Sequence, residues 1–151
     1  MTVSVSWSGA AGRAALAARA VRAAVQAALA HGGRPGLDLS VVFVDDAEIA
    51  ALHGRWFDDP TPTDVISFDL GQDEPGPAGE LYVSVERARA EARARGLPLE
   101  RELALYLVHG ALHLCGYDDR ERRERARMRA AEAAVLERLG YPAAPGVDDR
   151  A

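Results

Sequence analysis

The stretch LERELALYLVHGALHLCG, residues 99–116, decides the fold of this protein. Its apolar side chains continue for several helical turns, and Gly116 follows as a stop signal, so the stretch predicts a helix over residues 99–114. The preceding segment, residues 86–95, predicts a highly charged helix. Because the second of these helices is far more apolar, we expect it to be the buried one.

Strand and helix signals precede this helix along the chain, and one further helix signal follows it. Strands are predicted at residues 2–7, 37–44, 63–70 and 80–85, where β-branched and apolar residues dominate. Three further helices are predicted. The first is an Ala-rich segment that Ser8 could cap, with apolar residues at helical spacing: Leu16, Val21, Val25 and Leu29. The second could be capped by Asp45 or Asp46 and carries a stripe of Ile49, Leu52, Trp56 and Phe57, and the third covers residues 119–139. The last two strands could pair, or the Gly- and Pro-containing loop between them could be functional. The pattern indicates an α/β protein.

Length and charge limit the classes of protein that fit. The chain has 151 residues, which suits one domain, expected over residues 1–140, with residues 141–151 as a frayed tail. Cys115 is the only cysteine, and neither a signal peptide nor a membrane span is predicted, so we expect a cytoplasmic protein. The net charge of −5 argues against a surface coated with positive charge for nonspecific nucleic-acid binding. Charge is nevertheless uneven, since residues 37–80 contain eleven acids and one base and residues 120–129 contain six arginines and two acids.

Two histidines in the apolar helix suggest a metal site. His109 and His113 are four residues apart, which places both imidazoles on one helix face, one turn apart. Gly116 then allows a left-handed turn that could bring one of residues 117–119 back toward them as a third ligand. Such a set of polar groups would be costly to bury without a cation. We therefore favour a metal site over two ordinary core histidines.

The remaining histidines and the cysteine are expected to lie outside this site. Cys115 lies about 200° around the helix from His113, so it should be a small core residue. His31, at a helix end, and His53, on an acidic helix, are expected to be solvated.

Three segments resemble one protein family. HGALHLCGYDD, residues 109–119, resembles the HGxLHLxGYDH signature of the YbeY family of bacterial endoribonucleases. TDVISF, residues 63–68, is similar to that family's TDVLSF segment, and GELYVS, residues 79–84, to its GDIxIS strand. The resemblance implies a single α/β domain in which a small, mixed and mostly parallel four-stranded sheet packs with about five helices. It also implies one Zn²⁺ held by three side chains, and single-stranded RNA as the substrate, in ribosomal RNA maturation and ribosome quality control.

The chain departs from the family pattern at two places. The third metal ligand of the family is usually His, and that position is Asp119 here, with Asp118 as the fallback ligand. A carboxylate makes the site less positive, so zinc remains the expected ion but another divalent transition metal, such as Fe(II), Mn(II) or Co(II), also suits it. The Arg that often precedes the TDVLSF segment corresponds to Phe57, and Arg55 lies nearby but out of register.

Three protein ligands would leave one coordination position for water, which is typical of a catalytic rather than a structural zinc site. Arg120, Arg122 and Arg123 could bind backbone phosphates, or they could form a solvated helix face with the neighbouring glutamates. Asp64 and Ser67 could orient substrate or water, or they could serve turn capping and strand pairing. The chemistry expected is hydrolysis of a phosphodiester.

Two other functions remain open. A metalloprotease also carries His-x3-His on a helix, but its general base, the Glu beside the first His, is replaced by Gly110 here. A non-catalytic RNA-binding protein associated with the ribosome or its small-subunit proteins would fit the net negative charge and Asp119.

Overall fold

Residues 2–8, 16–57, 63–73 and 75–141 are described by the computed structural model of this protein. These residues form four strands and five helices. The elements are β1 (Val3–Trp7), α1 (Ala18–His31), β2 (Leu39–Val44), α2 (Asp46–Phe57), β3 (Val65–Asp69), β4 (Gly79–Ser84), α3 (Val85–Arg95), α4 (Leu99–Leu114) and α5 (Arg122–Arg138). Each of the predicted strands and helices is present, with shifts of one to three residues at most ends and a larger one at the start of α1.

The four strands form one open, mixed sheet in the order β1-β2-β4-β3. Strands β1, β2 and β4 are parallel, and β3 runs antiparallel to β4, with Ile66 opposite Tyr82. The predicted α/β class and the mostly parallel four-stranded sheet are therefore confirmed. So is the pairing of the third and fourth strands, which makes β3 an edge strand of the sheet.

One face of the sheet, which we call the α4 face, carries the main hydrophobic core. Helix α4 packs against β3, β4, α1, α3 and α5. Every residue from 101 to 112 is buried except His109, which is half-buried. The prediction that this helix is the buried one is thus confirmed. Because the helix is buried on all sides, its backbone is held in place, and so is the position from which the His109 side chain extends.

The opposite face, the α2 face, has a much smaller core. Side chains alternate along a strand, so Val41 and Phe43 of β2 point into the main core while Val42 and Val44 point to α2. The fully buried members of the small core are Val44, Ile49 and Ile66. Of the stripe predicted on α2, only Ile49 is buried, whereas Trp56 is 62% and Phe57 52% exposed. Helical spacing predicts that these residues share one face of α2, but it does not predict whether other residues of the protein pack on that face.

Two predicted helix starts are wrong. Helix α1 begins at Ala18 with Ala17 as its N-cap, and the Ser8 hydroxyl donates to the Glu48 carboxylate instead of capping α1. Helix α5 begins at Arg122, because Glu121 and Glu124 form a reciprocal capping box there. By contrast, Asp45 caps α2 as predicted, since its carboxylate accepts from the Glu48 amide at 2.9 Å.

Parts of the predictions fall outside the described residues: the segment after Ser8 up to residue 15, the connector at 58–62, and the tail from residue 142. The single-domain boundary at residue 140 stays a prediction. No helix in the described ranges is both long enough and apolar enough to cross a membrane.

Candidate metal centre

The end of α4 brings the chain back across its own last turn. The Gly116 backbone has a φ of 95°, in the left-handed region that Gly adopts without strain. The Tyr117 amide then donates to the Leu112 carbonyl at 3.1 Å, which closes the helix end. This reversal, expected from the sequence, places Asp119 beside the exposed edge of His109 and His113.

Three side-chain atoms converge at this point. The Nε2 atoms of His109 and His113 are 3.1 Å apart, and Asp119 Oδ2 lies 3.4 Å from the first and 3.6 Å from the second. Ligands about 2.0–2.1 Å from a tetrahedral Zn²⁺ are separated by roughly 3.3–3.4 Å along each edge of the tetrahedron. The three atoms therefore fit one face of such a site. Among the described residues, this group of potential ligands holds three side chains and no fourth.

The protonation of the three groups follows from their contacts. Burial of the His109 imidazole favours its neutral form, but hydrogen bonds to Asp119 and Glu132 outweigh burial and raise its pKa to about 9. A hydrogen bond from His109 lowers the pKa of Asp119 to about 2, against the effect of partial burial. Burial, and then the neighbouring His109, lower the pKa of His113. Without metal and near neutral pH, protonated His109 thus donates to both carboxylates, whereas the environment of His113 favours its neutral form.

Glu132 is a site residue that the sequence reasoning missed. Its Oε2 lies 2.5 Å from His109 Nδ1, on the side of the ring away from Asp119. A signal for it existed in the sequence. Helix α5 buries residues 128, 131, 132, 135 and 136, which recur at helical spacing, and Glu132 is the one charged residue among them.

A cavity of about 580 Å³ opens at these ligands, between the edge strand β3 and the end of α4. The predicted site residues that line it are His109, His113, Asp119, Asp64, Ser67 and Arg120. The Ser67 hydroxyl donates to the Gly110 carbonyl at 3.1 Å, so it also ties β3 to the helix that carries both histidines. Asp64 Oδ1 accepts from the Val65 amide at 2.7 Å, as in the turn-capping alternative. Asp118 Oδ1 accepts from the Asp119 amide at 2.7 Å and lies outside the ligand cluster.

The other predicted arginines lie elsewhere. Arg55, Arg122 and Arg123 are exposed and do not line the cavity at the ligands. A second cavity, of about 430 Å³, lies on the Glu132 side of the centre. It is lined by Arg120, Arg125 and Arg129 together with the acidic residues of the centre. The sequence marked the arginine cluster but not which of its members face inward.

Phe57 and His53 line the first cavity from α2. Phe57 therefore places an aromatic ring at this wall, and its correspondence to the Arg of the family pattern stays a prediction. His53 is half-buried and its ring lies 5.4 Å from that of Phe57, which corrects the expectation that it is simply solvated. His31 is exposed, as expected.

Cys115 is half-buried and packs against the main core, so it is a small core residue, as predicted. Burial raises the pKa of its thiol. A Cβ added at Gly32 would lie 2.5 Å from its Sγ, which explains the glycine at the end of α1.

Fold and site together define the class: an α/β protein with a candidate His-His-Asp metal centre on a buried helix and the turn that follows it. Comparison with known proteins gives the family. The family model described as Endoribonuclease YbeY matches residues 10–140, and the chain belongs to the YbeY family.

Known relatives agree with this assignment, and one solved structure shares the fold. The Endoribonuclease YbeY proteins of Mycobacterium ulcerans and Nocardia farcinica are each 44% identical over 114 residues, which cover 68% of this chain and 64% and 62% of those proteins. The chain therefore matches less than two thirds of the length of these relatives. The solution structure of TM1509 from Thermotoga maritima is similar in fold, with a TM-score of 0.59, 20% identity and 99% coverage of both chains.

Proposed function

We propose that this protein is a metal-dependent endoribonuclease that cuts single-stranded RNA. The observation that carries the proposal is the triangle of His109 Nε2, His113 Nε2 and Asp119 Oδ2 at the wall of an open cavity. Three ligands with an accessible fourth position are typical of hydrolytic metal sites. The relatives named Endoribonuclease YbeY support RNA as the substrate.

The donor set suits a single Zn²⁺. Two imidazole nitrogens and one carboxylate oxygen are common zinc ligands, and the same set also accepts Fe(II), Mn(II) or Co(II). When bound, the ion would supply Lewis acidity toward the phosphodiester and toward an attacking water.

The side chains around the ion would bind the RNA backbone. Arg120 lines both cavities, and Arg125 and Arg129 line the second, so guanidinium groups flank the centre on the α5 side. Their planar donors match phosphate oxygens, and they offset the charge of Asp64 and Asp119 beside them. Arg55, Arg122 and Arg123, which are exposed, would add weaker, long-range attraction.

The opposite wall favours unpaired bases. Phe57 lines the cavity, and Trp56 beside it is 62% exposed. Both rings contact Phe68, at centroid distances of 5.8 Å for Trp56 and 6.2 Å for Phe57. Exposed aromatic rings of this kind stack on bases that are free of a duplex, which supports a preference for single strands.

The biological setting that we propose is maturation of ribosomal RNA and ribosome quality control in the cytoplasm, with the ribosome or small-subunit proteins as partners. What supports it is the family resemblance of residues 63–68, 79–84 and 109–119. Asp64 and Ser67, at the wall of the cavity, are proposed to orient substrate or water.

A peptidase of the His-Glu-x-x-His type is disfavoured by the packing around Gly110. That type needs a Glu general base at this position. A Cβ added at Gly110 would lie 3.0 Å from Leu81 Cδ2 and 3.1 Å from both Ser67 Oγ and Val65 Cγ2. Side chains of β3 and β4 thus crowd the position at which such a peptidase carries its general base.

The test is cleavage of a labelled single-stranded RNA by the purified full chain. We expect cleavage that a chelator abolishes and that added Zn²⁺ restores. His113→Ala should abolish cleavage, whereas His31→Ala, which changes an exposed histidine, should leave it unchanged. Metal content by mass spectrometry should be about one equivalent in the wild type and should fall sharply in Asp119→Ala, because that variant lacks one of three ligands.

Cleavage that resists both the chelator and His113→Ala would overturn the proposal. RNA binding without cleavage, unchanged in His113→Ala, would indicate the non-catalytic RNA-binding protein instead. Cleavage of an unfolded polypeptide but not of RNA would indicate the peptidase.

A further inference from the structure

Glu132 is buried at a position where a charged side chain lowers the stability of the fold unless it is compensated. It is 2% exposed, and the α5 residues around it on the same face, Met128, Ala131 and Val135, are apolar and buried. Removing a carboxylate from water costs several kcal/mol unless hydrogen bonds compensate, and a leucine at such a position often packs at least as well. Packing alone therefore does not explain a glutamate here.

The contact that Glu132 makes points to the metal centre. Its Oε2 lies 2.5 Å from His109 Nδ1, while His109 Nε2 faces His113 and Asp119 at 3.1 and 3.4 Å. One nitrogen of the imidazole thus contacts the buried Glu132 carboxylate, and the other faces the candidate ligands His113 and Asp119. A carboxylate can only accept from Nδ1. When the imidazole is neutral, its one hydrogen therefore stays on Nδ1, and Nε2 has the lone pair that a metal requires.

The burial of both partners makes this arrangement rigid. The side chain of His109 is 13% exposed and that of Glu132 is 3% exposed. They belong to α4 and α5, two helices that pack against each other in the main core. Rotation of the His109 ring would break its hydrogen bond to Glu132.

We propose that Glu132 is a positioning residue of the metal centre, which fixes the tautomer and ring orientation of His109 and strengthens Nε2 as a ligand. The inference rests on the metal dependence put forward under the proposed function. Such outer carboxylates commonly change metal affinity by roughly 10- to 100-fold when they are removed.

The test measures Zn²⁺ affinity of the full chain by chelator competition at one fixed pH, together with the visible spectrum of the Co²⁺-loaded protein. Glu132→Leu should weaken Zn²⁺ binding by roughly 10- to 100-fold. Glu132→Gln keeps an acceptor for Nδ1 but loses the charge, so its affinity should fall between those of Glu132→Leu and the wild type. Glu137→Gln, an exposed change on the same helix, is the matched control and should bind as the wild type does.

The Co²⁺ spectrum separates positioning from general damage. In Glu132→Leu we expect altered absorption bands, because the ring of His109 is no longer held, while circular dichroism of the metal-free protein stays as in the wild type. If Glu132→Leu does not fold, the Zn²⁺ affinity of Glu132→Gln tests the inference by itself. Wild-type Zn²⁺ affinity in Glu132→Gln overturns the inference, whatever the other variant does.

The two proposals fail in different ways. A wild-type protein that binds no metal would remove the proposed metal dependence. A wild-type protein that binds metal and cleaves RNA, with Glu132→Gln and Glu137→Gln binding metal equally well, would remove the role of Glu132 alone.

Discussion

The α4 face and the α2 face of the sheet differ in how much they bury, and the candidate site lies where they meet at β3. On the α4 face, α4 is enclosed by two strands and three helices, and it holds two of the three candidate ligands. On the α2 face, one helix covers a core with three fully buried residues and leaves Trp56 and Phe57 exposed. The difference teaches that the candidate ligands, which need fixed distances, come from the closely packed side, whereas the exposed aromatic rings that we propose to stack on bases come from the open side.

The strongest test of this contrast is the pH dependence of metal affinity on the α4 face. His109 has a pKa of about 9 in the metal-free protein, so a metal ion must displace a proton at lower pH. Affinity should fall by roughly 50-fold between pH 9 and pH 7, and the fall should approach tenfold for each pH unit well below pH 9. Chelator-buffered Zn²⁺ titrations at pH 7, 8 and 9 measure this. Affinities that do not change with pH would contradict the assignment of that proton.

The same shift has a consequence for the metal-free protein. Because the folded pKa of His109 is raised above its usual value of 6.5, its contribution to stability is complete below that value and is lost as the pH rises through 9. Urea denaturation between pH 6.5 and 9.5 should show this loss in the wild type and in His31→Ala. In His109→Ala the loss should be absent.

A second prediction concerns the open face. Phe57→Ala should weaken binding of single-stranded RNA by roughly 5- to 150-fold, because stacking on one base contributes about 1–3 kcal/mol. The stability of the fold should change little, since the ring is 52% exposed. Fluorescence anisotropy with a short RNA, using metal-loaded protein, gives the dissociation constants.

Leu70→Ala is the control for that measurement. Leu70 is 47% exposed, similar to Phe57, but it does not line the cavity at the ligands. Equal losses of RNA affinity in the two variants would mean that the α2 face contributes general apolar surface and not a base-binding wall.

The smallest expected effect is on the packing of α4 against the sheet in the main core. Gly110→Val should lower the free energy of unfolding by about 1–3 kcal/mol, because a side chain there meets Leu81, Ser67 and Val65. A drop in Tm of roughly 2–4 °C per kcal/mol would follow in a protein of this size. Gly36→Val, at an exposed position where an added Cβ has no neighbour within 4 Å, should shift Tm far less. Equal shifts of Tm in the two variants would show that β3 moves to accommodate the added side chain at little cost in stability.

Much of the fold could be predicted because the signals were local. Apolar spacing marked α4, the α1 residues from Val21 to Leu29 and the strands, and the order of strands and helices gave the α/β class. The starts of α1 and α5 were missed because capping depends on contacts: Ser8 bonds to Glu48, which lies 40 residues away, and Glu121 caps α5 only through Glu124. The exposure of Trp56 and Phe57 was missed because spacing cannot show what packs on a stripe.

The sequence by itself determined the two imidazoles on one face of an apolar helix and the Gly116 turn after them, since helix geometry and left-handed backbone conformation are local properties. Only the tertiary structure decided that Glu132 lies against His109 Nδ1, that Phe57 and His53 form the far wall, and that Arg120, Arg125 and Arg129, but not Arg122 or Arg123, line the cavities. These contacts join residues that are far apart in the chain. They are fixed by how α5 and α2 pack, which depends on side-chain volume and burial throughout the core.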